Sequence, residues 1–153
     1  MKWLGFGARR EHDNCVLLDI RHGVGDRVGD VRNLPWTARY DGVEFHHVIE
    51  HLTPADARLA LSEIHRVLVP GGILEISCPD LEACARTLLA GNLEILQNIY
   101  SPHEAEAQRH RWGYTWASLH QLLREHGFGS IEPLPITEPH EIRYRAVTHT
   151  RSL

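Results

Sequence analysis

Residues 40–81 read YDGVEFHHVIEHLTPADARLALSEIHRVLVPGGILEISCPDL. Two strand-like runs, Tyr40–His46 and Ile73–Cys78, flank a helix whose start is explicit in the sequence. Thr53 suits an N-cap, Pro54 the first helical position and Asp56 the third, where an acid meets unpaired backbone N–H groups. Ala57, Leu61, Ile64 and Leu68 then recur at steps of 4, 3 and 4 residues, the apolar stripe a helix lays on a sheet. Pro70-Gly71-Gly72 is expected to stop this helix and turn the chain, with no chemical role. Strand, helix and strand in this order form the repeating unit of a parallel sheet.

Working outward, Lys2–Leu4 reads as a short first strand running into Gly5-Phe6-Gly7. Cys15–Ile20 is a continuous apolar run interrupted near its end by Asp19, as in a strand buried on both faces. Val28–Val31 is a weaker third strand. Helices are expected over Leu81–Leu89, Leu93–Ile99 and Thr115–His126, the last ending at Gly127. Ile131 and Ile142 fall in two closing strands, and Glu141–Thr148 alternates loosely, like an antiparallel edge strand. The whole predicts one domain over residues 1–153, a three-layer α/β sandwich with a mostly parallel sheet. Such sheets bind ligands beyond the carboxyl ends of their strands. Gly5–Gly7, Asp19, Asp30 and the run HHVIEH (46–51) all fall there.

Composition narrows the classes. With 153 residues and 42% apolar content, the chain can bury the core of one domain. It contains no run of membrane-spanning length. The opening MKWLGFGARREH lacks the apolar segment of a secretory signal, so none is expected. Cys15, Cys78 and Cys84 show no C-x-x-C spacing, and reduced thiols in a cytoplasmic protein are expected. A net charge of −4 gives no electrostatic reason for a nucleic-acid partner. In isolation, HHVIEH contains the H-x-x-E-H spacing of a zinc hydrolase. That chemistry needs His47 and His51 one helical turn apart. A strand before the run and a new helix after it place the run in a turn, so no metal is expected there.

A glycine turn after the first strand lets a ligand approach the backbone closely. An acid at the end of the second can accept hydrogen bonds from both hydroxyls of a ribose. With these features in this order, the sequence resembles the class I S-adenosylmethionine-dependent methyltransferases of the type 11 branch. The resemblance runs through KWLGFG, VLLDI, VGDVRNLPW, the long 40–81 block and HRWGYTWASLHQLLREHGF. It implies a Rossmann-like seven-stranded sheet and S-adenosylmethionine as cofactor. Gly5, Phe6 and Gly7 would lie against the methionine part, and Asp19 with Ile20 at the ribose. Asp30 would accept from the adenine amino group, with Asp26 as the alternative, and the Val31 backbone would contact the ring. His46 and His47 would face the transferred methyl, either taking a proton or shaping the pocket. His51 would make a structural hydrogen bond under the following helix, and Glu63 with Arg66 would hold that helix. Segment 91–114 would recognise the acceptor, with His103, His110, Trp112 and Tyr114 as candidates.

The sequence departs from the family pattern near its start. Trp3 replaces the acid two residues before the first glycine, and Arg9 stands at the third glycine position. Ala8–Asn14 is too short for the usual helix, and the family's N-terminal helices are expected to be missing. The expected function is methyl transfer to an oxygen or nitrogen of a small molecule or saccharide by a monomer or homodimer, with neither nucleic acid nor membrane as partner. The alternative is a non-catalytic relic of the same fold that still binds cofactor.

Overall fold

The computed structural model describes residues 1–7, 10–36 and 40–149; Arg9 lies outside them. One sheet is built from β1 (Trp3–Phe6), β2 (Cys15–Asp19), β3 (Arg27–Val28), β4 (Tyr40–His46), β5 (Leu68–Pro79), β6 (Phe128–Pro133) and β7 (Glu141–Thr148). The strand order is β3-β2-β1-β4-β5-β7-β6. Pairs from β3 through β5 are parallel, and β7 runs antiparallel to both β5 and β6. This is the mostly parallel seven-stranded α/β architecture that the resemblance implies.

Among the described residues, four α-helices accompany the sheet: α1 (Pro54–Val67), α2 (Leu81–Leu89), α3 (Leu96–Tyr100) and α4 (Trp116–Glu125). Local chemistry starts each long one. The Thr53 hydroxyl accepts from the Asp56 N–H at 3.2 Å, with Pro54 at the first position of α1. Asp80 accepts from the N–H groups of Glu82 and Ala83 to start α2. Thr115 and Ser118 form a reciprocal capping box on α4.

Two expectations are corrected. Pro70-Gly71-Gly72 does not separate helix from strand, because β5 begins at Leu68, directly after α1. Tyr40 pairs with Leu68 and Gly42 with Ile73, so the glycines absorb extra residues as a bulge, with Gly71 at φ 76°. The second correction concerns β7, which lies inside the sheet while β6 takes the edge. The alternation of β7 reflects a strand with two different faces, not an exposed edge. Ile142, Tyr144 and Ala146 join the core, while Arg143 and Arg145 fall on the other side.

The same division runs through the centre of the sheet. Leu4, Phe6, Val43, Phe45, Leu74 and Ile76 are buried together with Ala57, Leu61 and Ile64 of α1 and Leu119 and Leu123 of α4. Glu44, His46, Glu75 and Ser77 alternate with the strand members of that set and are also buried, on the opposite face. Beside β1 and β4 that face is covered by the loop after β1, since no helix occurs there among the described residues. The Glu11 N–H donates to Glu44, His12 meets Glu75 at 3.2 Å, and the His12 ring stacks on Trp3. Trp3 also occupies the space that a β-carbon on Gly42 would need. The tryptophan that departs from the family pattern therefore serves as packing.

Leu61 has no exposed surface. Leu61→Ala should lower unfolding free energy by about 2–5 kcal/mol. Leu89→Ala, at a position 87% exposed, should change it by no more than about 0.5 kcal/mol. Urea denaturation of the two variants checks both values, and equal losses would contradict the assignment of the core.

Candidate functional site

The ends of β1, β2 and β4 and the loop after β3 surround a cavity of about 530 Å³. Phe6, Gly7, Asp19, Ile20, Asp30 and Val31 line it, as do His47 and Glu50. Segment 101–111 closes the far side through Ser101, His103, Ala107, Gln108, His110 and Arg111. Side chains from distant stretches therefore meet in one space of a size suited to a nucleoside-bearing ligand.

Several candidates lie elsewhere. Gly5 is inside β1, and a β-carbon there would strike Leu17 and Cys15, so its smallness serves sheet packing. Gly7 makes the turn: its φ is 96°, and a β-carbon would come within 2.1 Å of the His46 carbonyl. His46 is buried behind the cavity wall, its Nδ1 3.1 Å from the Ser77 hydroxyl. Trp112 lines a separate small pocket beside α2. Tyr114 is buried, and its carbonyl accepts from the Leu81 N–H. Asp26 does not line the cavity; it accepts from the Leu17 N–H and pairs with Arg10. Glu63 and Arg66 pair at 2.7 Å and clasp the backbone of Leu34 and Trp36, a structural role. The three cysteines are free and buried; burial, then Glu44, pushes the Cys15 thiol up to about 12.

The polar groups of the wall are already organised. Asp19 accepts from the Arg21 backbone N–H, Nε and Nη2 at 2.8, 2.9 and 2.9 Å. Hydrogen bonding by Arg21 holds its carboxyl below the usual range. Asp30 is gripped in the same way by Arg32, whose Nη1 also lies 3.3 Å from Asp56 at the start of α1. Both arginines stand two residues after their aspartate, in the triplets Asp19-Ile20-Arg21 and Asp30-Val31-Arg32. This repeated spacing was the available sequence signal for Arg21 and Arg32, which the reading above did not single out; nor did it place Asp56 at the site.

His47 leaves β4 in a left-handed conformation, φ 52°, which a non-glycine residue adopts only where its surroundings hold it. Its Nε2 lies 3.0 Å from Glu141 and its Nδ1 3.3 Å from Glu50, both buried carboxylates. His51 does not reach under α1 as expected. Its Nδ1 meets the Arg109 carbonyl at 3.1 Å, because the turn Ile49–His51 aims the ring at segment 101–111.

Burial opposes a charge on His47, yet Glu50 and Glu141 outweigh it and raise the pKa above the ordinary 6.5. The stabilisation from this imidazolium is therefore complete below about pH 6.5 and is lost as pH rises through the raised value. Melting temperature should fall across that interval in the wild type and fall less in His47→Gln. Parallel curves for the two proteins from about pH 6 to about pH 9 would contradict this.

Residues 8–76 match the family described as Methyltransferase domain. A search of curated protein sequences finds no match. Among solved structures, 1,6-didemethyltoxoflavin-N1-methyltransferase of Burkholderia thailandensis, with 1,6-didemethyltoxoflavin and S-adenosylhomocysteine bound, superposes with a TM-score of 0.63 at 19% identity, over 96% of this chain and 70% of that one. The N-methyltransferase NodS of Bradyrhizobium japonicum, in complex with S-adenosylhomocysteine, gives 0.63 at 11% identity over 96% and 77%. An S-adenosylmethionine-dependent methyltransferase from Archaeoglobus fulgidus gives 0.67 at 14% over 96% and 86%. Against others, such as the S-adenosylmethionine-dependent methyltransferase SibL, this chain spans about half of the other chain's length, 50%. At these identities the structural likeness is one of fold. Residues 8–76 thus match a methyltransferase-domain family model, and the chain shares its fold with solved S-adenosylmethionine-dependent methyltransferases.

Proposed function

We propose that this chain transfers a methyl group from S-adenosylmethionine to an oxygen or nitrogen of a small polar acceptor, a small molecule or saccharide. The observation that carries the reading is the convergence of Asp19, Asp30 and the His47–Glu50 pair on one cavity. Asp19 would hold the ribose hydroxyls and Asp30 the adenine amino group, while Ile20, Val31 and Phe6 supply apolar wall. The Gly7 turn allows a ligand to pass close to the backbone. When bound, the cofactor supplies a methyl on a sulfonium that is already a good leaving group. The protein's task is then to align the acceptor and provide a route for its proton.

Of the two histidines considered for that proton, His46 is buried outside the cavity and His47 has each ring nitrogen beside a carboxylate. Both facts favour a shaping role over that of a free base. His103 and His110, on the opposite wall, are the acceptor-side candidates that share the cavity. A second reading, cofactor binding without turnover, draws on the arginines. Ligand hydroxyls must share or displace Arg21 from Asp19, where three of about four acceptor positions are in use.

Calorimetric titration with S-adenosylhomocysteine tests the cofactor half. Asp19→Ala should weaken binding at least about tenfold, the worth of a hydrogen bond to a charged group. Arg21→Ala should strengthen it roughly two- to fivefold, since an exposed ion pair is displaced cheaply. No binding by the wild type at millimolar ligand would sink the proposal. For the catalytic half, S-adenosylhomocysteine release is measured with phenols, small amines and saccharides as acceptors. Turnover with one class supports transfer; a protein that binds cofactor yet turns over none of them is the relic.

A further inference from the structure

The run HHVIEH meets the second wall of the cavity in a way its spacing did not foretell. Glu50 is almost wholly buried, at 2% exposure, and neither carboxylate oxygen has a hydrogen-bond partner among the described residues. Its neighbours are imidazoles: His47 Nδ1 at 3.3 Å and His110 Nε2 at 4.0 Å from Oε1. A buried carboxylate whose one close counter-charge is an imidazole at 3.3 Å, outside hydrogen-bonding geometry, is poorly compensated and leaves room for a further ligand. Glu50, His51 and His110 bring one ligand-capable atom each within 4.8 Å of one another.

The two histidines are oriented from behind. His51 Nδ1 lies 3.1 Å from the Arg109 carbonyl and His110 Nδ1 lies 2.8 Å from the Asn98 carbonyl. A carbonyl can only accept, so each Nδ1 carries the ring proton and each Nε2 offers a lone pair. Metal-binding histidines are commonly fixed in this way, with the second nitrogen donating to a backbone oxygen. The Arg111 and Trp112 N–H groups both donate to the Glu50 carbonyl, at 2.7 and 3.2 Å, so the main chain ties His110 to Glu50.

We propose that Glu50, His51 and His110 form a site for one divalent first-row transition ion, with its open side on the cavity. Two imidazole nitrogens and one carboxylate suit Zn²⁺, Mn²⁺ or Co²⁺, whereas Mg²⁺ prefers an all-oxygen shell. This is not the H-x-x-E-H arrangement, because His110, far along the chain, takes the place that His47 would have had. His47 instead stands beside Glu50 as a counter-charge that an ion would replace. Any use of the ion to acidify a bound acceptor hydroxyl rests on the methyl-transfer reading; binding of the ion does not.

Chelator-treated protein is titrated calorimetrically with ZnCl₂, MnCl₂, CoCl₂ and MgCl₂, and the Co²⁺ complex is followed by its visible absorption. One ion per chain is expected, with Mg²⁺ at least about tenfold weaker. His51→Ala, His110→Ala and the isosteric Glu50→Gln should each lose at least about tenfold in affinity and shift the Co²⁺ spectrum. His22→Ala, at an exposed position, should lose nothing. Circular dichroism and a cooperative urea transition show that each variant is folded. No ion bound at millimolar concentration, or equal affinity in the three site variants, overturns the proposal. So does loss of the ion in Glu75→Gln alone, which would move it to the separate group Glu11, His46 and Glu75. Absent metal binding with intact cofactor binding refutes this site and leaves methyl transfer standing.

Discussion

Val43, Phe45, Leu74 and Ile76 belong to the core on one side of the sheet, while Glu44, His46, Glu75 and Ser77 alternate with them on the other. This two-residue period in β4 and β5 is the constraint on which the rest of the molecule depends. The apolar side calls for the stripes of α1 and α4. The polar side calls for partners, since a buried carboxylate is tolerated only when it is paired. Arg143 answers Glu11, and both Arg145 and His12 answer Glu75. A slip of one residue in register would exchange the two faces, so pairing and packing enforce each other.

That register also aligns the strand ends from which the cavity is made. Phe6 pairs with both Leu18 and Phe45, so Gly7, Asp19 and His46–His47 leave the sheet at one level. The Gly7 backbone passes so close to the His46 carbonyl that no side chain fits between them. This contact narrows the floor of the site and helps explain why His46 is enclosed while His47 turns outward.

The charges of the cavity fall into two groups with different behaviour. Asp19 and Asp30 hold partly exposed arginines, pairs that a ligand can displace cheaply. The group around Glu50 is more deeply buried and is tied to the backbone at several points, so its geometry is set before any ligand arrives. Two partly exposed ion pairs thus face a fixed polar cluster across one space.

Much of this architecture was legible in the linear chain. The Thr53-Pro54-Asp56 start of α1, the apolar run of β2 and the Thr115 cap of α4 are local physics, and each appears where the sequence placed it. The order of glycine turn, Asp19 and Asp30 likewise marked strand ends that line the cavity. What stayed hidden depends on contacts between distant residues. The place of β7 inside the sheet follows from pairing with β5, which no periodicity encodes. The burial of Tyr114 and His46, and the service of Gly5 to packing, follow from what lies above them. In HHVIEH the sequence by itself determined a strand end, a turn and a helix start, because capping and patterning act over a few residues. Tertiary structure alone decided that His47 would lie beside Glu50 and Glu141, and that His110 would complete the Glu50–His51 group. Side-chain chemistry in a folded chain is set by distance in space, and sequence separation carries no record of it.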